Sequence, residues 1–264
     1  MLKIRVIPTL LWKDYGLVKG VSFDSWRRVG SVLPAIKVYN RREVDEMILV
    51  DVIANSSHDV FDIDSLEDFS QDCFVPLTVG GGISNASEVQ NFLRAGADKI
   101  SINTAAYDRP ELITEIAKIH GSQCVVSSID VRNLSDGRWS CFSHSGTLQT
   151  NKCVAEWAKE LEDRGAGEIL ITSIDNDGTM NGYDLPLIET VSSSVDIPVI
   201  ASGGAGCYQD MIDAVQKSGA SAVAAASIFH FTEQTPKEAK IAMSQAGILI
   251  RENYLDDSLS NNDR

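Results

Sequence analysis

A strand-like run that ends in consecutive glycines occurs twice in this chain, and the two copies constrain the fold more than any other feature. Val79-Gly80-Gly81-Gly82-Ile83 is echoed by Ala201-Ser202-Gly203-Gly204-Ala205, with Gly81 and Gly203 122 residues apart. Upstream, Ile48-Leu49-Val50-Asp51 is echoed at the same offset by Leu170-Ile171-Thr172-Ser173. Downstream, the stretch from Ala95-Gly96-Ala97 to Asn103-Thr104-Ala105 is echoed from Ser218-Gly219-Ala220 to Ala226-Ser227-Ile228. Self-similarity of this kind means two halves of similar design. β-branched runs fall at 5–11, 47–52, 75–79, 99–103, 124–130, 168–173, 199–202 and 221–226. Helical stretches follow most of them, such as 88–95, stopped by Gly96, and 151–164, closed by Gly165. Eight strands alternating with helices in roughly 250 residues match the α/β class, as a (β/α)8 TIM barrel of two similar half-barrels. A doubly wound open sheet is the alternative, but the first strand lacks the GxGxxG turn of that class. One barrel is expected over residues 1–252, followed by a polar, disordered tail over 253–264.

Two insertions break the alternation, at 12–30 and at 131–150. Both follow strands at their C-terminal ends, the face where barrels of this type place their chemistry. The second carries Ser135-Asp136-Gly137 between alternating runs, which predicts a small β-hairpin. Trp12 and Trp26, in the first, read as packing residues.

A strand ending in Gly-Gly and followed by a helix lets backbone N–H groups approach an anion, and the helix N-terminus adds a favourable dipole. Tight turns alone would also use glycine. The repetition of the whole strand, glycine, helix and strand unit points to two phosphate sites across one barrel mouth, and so to a long substrate phosphorylated at both ends. The net charge of −14 makes nucleic acid or an anionic membrane a poor partner. It does not forbid phosphate, because local donors dominate at contact distance. No apolar run is long enough to span a bilayer, and the first residues read as a short strand, not as a signal peptide. The five cysteines form no CxxC pair and the four histidines lack metal-ligand spacing. They read as those of a reduced, cytoplasmic protein with no metal and no cofactor.

The chain resembles the cyclase subunit of imidazole glycerol phosphate synthase. The resemblance rests on Lys13-Asp14 and Val18-Lys19-Gly20, both glycine units, Gly96-Ala97-Asp98-Lys99-Ile100-Ser101-Ile102-Asn103-Thr104, Gly121-Ser122-Gln123, Arg164-Gly165-Ala166-Gly167-Glu168, Thr172-Ser173-Ile174-Asp175, Asp177-Gly178-Thr179 and Gly182-Tyr183-Asp184. It implies a (β/α)8 barrel that forms a heterodimer with a glutamine amidotransferase subunit, whose ammonia crosses the barrel and reacts with a bisphosphorylated ribulosyl nucleotide. By resemblance, Gly81, Gly82, Asn103 and Thr104 hold one phosphate. Asp177, Gly178, Gly203, Gly204, Ala226 and Ser227 line the other region, Asp51 joins the substrate site, and Lys19 sits on a mobile loop that closes over it. Arg5, Glu46, Lys99 and Glu168 form a charged ring on the ammonia route, with Asp98 and Gln123 on the partner face.

The family's chemistry uses two aspartates as an acid/base pair, at the ends of the first and fifth barrel strands. Asp130 matches the second, although an aspartate there can also simply cap a turn. The first position is Leu11, which cannot move a proton. Asp14, three residues on, belongs to a separate match and is no replacement. The Leu-Leu end of the first strand and the Glu43-Val44-Asp45-Glu46 run resemble paralogs of the family that accompany surface-polysaccharide biosynthesis. These deliver ammonia to turn an acetamido group into an acetamidino group, and that is the activity expected here. The genuine histidine-pathway cyclase is the alternative, and a non-catalytic scaffold that conducts ammonia is a second one.

Overall fold

The computed structural model describes residues 3–14, 16–53, 61–135 and 137–251. The expected disordered tail, 253–264, lies outside them. Twelve strands form one sheet among the described residues: β1 Arg5–Lys13, β2 Gly16–Val21, β3 Asp24–Gly30, β4 Met47–Asp51, β5 Leu77–Gly80, β6 Lys99–Ile102, β7 Val125–Asn133, β8 Trp139–Ser143, β9 Leu148–Gln149, β10 Glu168–Ser173, β11 Val199–Ser202 and β12 Ala222–Ala225. Eight of them pair in parallel in the order β1, β4, β5, β6, β7, β10, β11, β12 and back to β1. The sheet therefore closes, and the open-sheet alternative is excluded. The described helices are α1 Val32–Arg41, α2 Ile63–Gln71, α3 Ala86–Arg94, α4 Thr104–Asp108, α5 Glu111–His120, α6 Val154–Asp163, α7 Leu185–Ser192, α8 Tyr208–Gln216, α9 Ser227–Phe231 and α10 Pro236–Gln245. Local signals set several of their starts. Asn85 and Glu88 make a capping box before α3, and Thr235 with Glu238 another before α10.

The strands are apolar on both faces because both are covered. Ile7, Ile48, Val126, Leu170, Ile200, Ala222 and Ala224 fill the barrel interior, while the alternate residues join the larger core under the helices. With side chains alternating in and out, each long strand presents a sequence of levels to the interior. On β1, Arg5 lies at the N-terminal end, Ile7 in the middle, and Thr9 and Leu11 in the cavity at the C-terminal mouth. On β10 the same levels are Glu168, Leu170 and Thr172.

Both insertions are antiparallel hairpins. The second, β7 with β8, is the one its turn residues predict. In the first, β1 does not end at residue 11 but runs to Lys13, because Leu11, Trp12 and Lys13 pair with Val18, Leu17 and Gly16 of β2. No helix among the described residues is long and apolar enough to cross a membrane.

Candidate active site at the C-terminal mouth

One cavity opens at the C-terminal ends of the strands, and the expected site residues converge on it. Leu11, Lys19, Asp51, Gly81, Gly82, Asn103, Thr104, Asp130, Asp177, Gly178, Gly203, Gly204, Ala226 and Ser227 all line it. The two glycine turns are built alike. Gly81 and Gly203 have φ of +111° and +87°, a region that favours glycine. A Cβ on Gly81 would come within 2.5 Å of the Asp51 carbonyl oxygen, and one on Gly203 within 2.6 Å of that of Ser173. Asp51 and Ser173 are themselves related by the repeat, so the close approach is duplicated along with the sequence. Beyond the glycines, Asn103 and Ala226 precede the short helices α4 and α9 with matching backbones, φ −116° and ψ −85° against φ −127° and ψ −66°.

The symmetry also locates Leu11. It is the first residue of β1 to pair antiparallel within its hairpin, and it lies beside Val50 of β4. Asp130 is the first such residue of β7, and it lies beside Thr172 of β10. Val50 and Thr172 are again 122 residues apart. Leu11 is thus the two-fold mate of Asp130, and a methyl-bearing side chain stands where the other half carries a carboxyl. Asp14 is exposed and outside the cavity lining. Burial, reinforced by the charge of Asp177, pushes the Asp130 carboxyl from 3.8 up to about 7, against a lowering contribution from the Ser128 hydroxyl.

Lys19 departs from expectation. It lies in a strand, 2% exposed, with its ammonium 2.6 Å from Asp177 Oδ2, because the β2–β3 hairpin is folded down over the cavity. Trp26 lines the cavity from the hairpin with Phe23, and Trp12 packs edge-on to Phe61 and Phe69. Asn103, expected as a phosphate ligand, turns its amide toward Asp130 and the Ser128 carbonyl. Thr104 Oγ1 accepts the backbone N–H of His144 at 3.0 Å. Thr9, Ser128, Ser145 and Thr172 line the cavity as well. The repeat offset could have found Thr172, as the mate of Val50, but no local signal marks Ser145. Asp175 is outside the lining and accepts the backbone N–H of Asn133. Among the described residues no group of three or more His, Cys, Asp or Glu could hold a metal ion.

At the opposite end, four side chains, three from strands β1, β6 and β10 and one from just before β4, make a closed network. Arg5 Nη1 reaches Glu46 at 2.8 Å and Glu168 at 3.0 Å, and Lys99 Nζ reaches the same two carboxylates at 3.0 and 2.8 Å. Asp98 is exposed beside it and accepts the backbone N–H of Leu77 through its side chain. Gln123 is exposed in the turn before β7.

Fold and site define the class: a (β/α)8 barrel of two similar halves, with its cavity at the C-terminal mouth and a ring of paired charges at the other end. Within that class the chain belongs to the histidine biosynthesis protein family, whose model matches residues 5–235. It is 45% identical over 252 residues to the imidazole glycerol phosphate synthase subunit HisF of Caulobacter vibrioides strain NA1000 / CB15N, covering 95% of this chain and 97% of that protein. The match to the same-named subunit of strain ATCC 19089 / CIP 103742 / CB 15 has the same identity and coverage.

Proposed function

We propose that this chain is the ammonia-using barrel subunit of an imidazole glycerol phosphate synthase-type enzyme. A glutamine amidotransferase subunit docks at the N-terminal end, and its ammonia crosses the barrel to a phosphorylated acceptor held at the C-terminal mouth. The observation that carries this reading is the pairing of a charged ring at one end with duplicated glycine cradles at the other. Arg5, Glu46, Lys99 and Glu168 gate the route, since four mutually paired charges exclude bulk water yet can part transiently. Asp98 and Gln123 belong to the docking rim, where Phe74 and Ile119 also stand exposed. Gly81, Gly82 and Thr104 face one phosphate, and Gly178, Gly203, Gly204, Ala226 and Ser227 the other. Lys19 and Asp177 close the roof, and Asp51 lines the wall between. A carboxyl with its midpoint near 7 is present in both forms at neutral pH, which suits Asp130 to take and return protons.

The likeness to imidazole glycerol phosphate synthase subunits favours the histidine-pathway acceptor, a bisphosphorylated ribulosyl nucleotide, over the polysaccharide sugar expected from the sequence. One observation favours the sugar: Leu11 leaves only Asp130 of the pair of strand-end aspartates that the family resemblance assigns to cyclisation. The test is ammonium-dependent turnover of the ribulosyl nucleotide by the parent chain and by Leu11→Asp. Parent turnover at ordinary enzyme rates, about 1 s⁻¹ or more, supports the histidine-pathway acceptor. Background turnover that Leu11→Asp raises supports the sugar. No turnover by either protein, with this acceptor or with an acetamido sugar, would sink the enzymatic reading and leave an ammonia-conducting scaffold.

A further inference from the structure

The side chain of Asn103 is committed inside the protein. Its Nδ2 donates to Asp130 Oδ2 at 3.0 Å and to the Ser128 carbonyl at 3.2 Å. Both acceptors lie on β7, the barrel strand next to β6. Two acceptors face the nitrogen and the buried Oδ1 has no hydrogen-bond partner, so the amide's orientation is assigned by the two bonds that Nδ2 donates.

The internal symmetry separates the two things Asn103 could do. Its mate in the other half is Ala226, which has nearly the same backbone angles and no polar side chain. Shaping the turn at the cradle therefore needs the backbone alone. The mate of Asp130 is Leu11. Where one half places Asn103 beside Asp130, the other places Ala226 beside the strand that carries Leu11. The amide occurs in the half that has a carboxyl to hold.

We infer that Asn103 is a positioning residue for Asp130: its amide holds Oδ2 and favours the charged carboxylate, and its side chain is not a phosphate ligand. The importance of this for turnover rests on the reading of Asp130 as the proton carrier. The other groups that face this carboxyl are Asp177 from the loop after β10, itself paired with Lys19 of β2, the Ser128 hydroxyl of β7, Tyr107 of α4 and Cys141 of β8. Burial holds the Tyr107 hydroxyl far above its usual range and pushes the Cys141 thiol up to about 12, so neither changes charge near neutrality.

The experiment compares the full chain with Asn103→Leu, which keeps the branched side-chain shape and removes the donor. The Asp130 midpoint is followed by carbon-13 carboxyl NMR, and inorganic phosphate binding by calorimetry. Loss of a donor to the carboxylate favours the protonated form. The expected result is a midpoint about one pH unit higher, a roughly tenfold weaker acid, with phosphate affinity within about twofold of the parent. An unmoved midpoint together with a tenfold loss of phosphate affinity would overturn the inference. If the leucine variant does not fold, Asn103→Ser, too short to bridge to Asp130, carries the same measurement. The titration needs no turnover, so failure of the wider functional reading would appear in the acceptor assay and not here.

Discussion

Asp130 and Leu11 occupy equivalent places in the two halves, and the difference between them has measurable consequences. The Asp130 carboxyl titrates near 7 when folded and near 3.8 in an unperturbed chain, so the folded state holds the proton more tightly. Its contribution to stability is complete below about pH 4 and is lost as pH rises through 7, by roughly 4 kcal/mol for a gap of this size. Urea unfolding of the parent and of Asp130→Asn at pH 4.5 and 7.5 isolates this slope. The variant is expected to gain relative to the parent at the higher pH, and equal differences at both would contradict the burial argument. Leu11→Asp gives both halves a carboxyl. If the parent serves the polysaccharide acceptor, the variant's ammonium-dependent cyclase turnover is expected to exceed the parent's by about 10² or more. Leu11 was legible from the sequence because the family resemblance places it at the end of the first strand, where the family carries its first aspartate. The partner of Asn103 was not, since the motif that suggests phosphate binding cannot distinguish its amide from its backbone.

The β2–β3 hairpin is the element whose placement most shapes the cavity. Its tip is held by the Ser22 N–H on the Asp177 carbonyl at 2.8 Å, and its middle by the Lys19 to Asp177 ion pair. Arg27 adds a guanidinium 3.9 Å above the Phe231 ring of α9. Removing one partner of a buried pair leaves the other charge without compensation. Asp177→Ala is therefore expected to raise hydrogen exchange of the β2 amides at least tenfold, about 1.4 kcal/mol or more of local opening. The amides of β10 and β11 should be unaffected, and a uniform rise across the barrel would count against a hairpin that opens by itself. The hairpin at β7–β8 was readable from a glycine turn between alternating runs. The one at β2–β3 was not, because its two-residue turn is Ser22-Phe23, both at positive φ (50° and 64°), where turn rules look for Gly or Asn.

Across the whole molecule the two-fold design makes a joint prediction. Sulfate or phosphate soaked into crystals should occupy both cradles, near Gly82 and Thr104 and near Gly204 and Ser227. One occupied site would indicate an acceptor with phosphate at one end only, and none would remove the phosphate argument. The N-terminal end makes another. Co-expression with the proposed glutamine amidotransferase partner should give a one-to-one complex on gel filtration, and separate elution at micromolar concentration would refute docking through the Asp98 and Gln123 rim.

The sequence by itself determined the half-barrel repeat, the strand order that follows from alternation, the two glycine turns and the presence of leucine at position 11. These are properties of period, spacing and residue type, and they are written locally. Only the tertiary structure decided which polar groups find each other. Closure of the sheet carries Arg5 to Glu168, 163 residues away, and Lys19 to Asp177, 158 away. It also turns the Asn103 amide onto Asp130. Such pairings depend on barrel register and on which side chains face inward at the same level. That register is set when eight strands close on one another, and no single stretch of chain contains it.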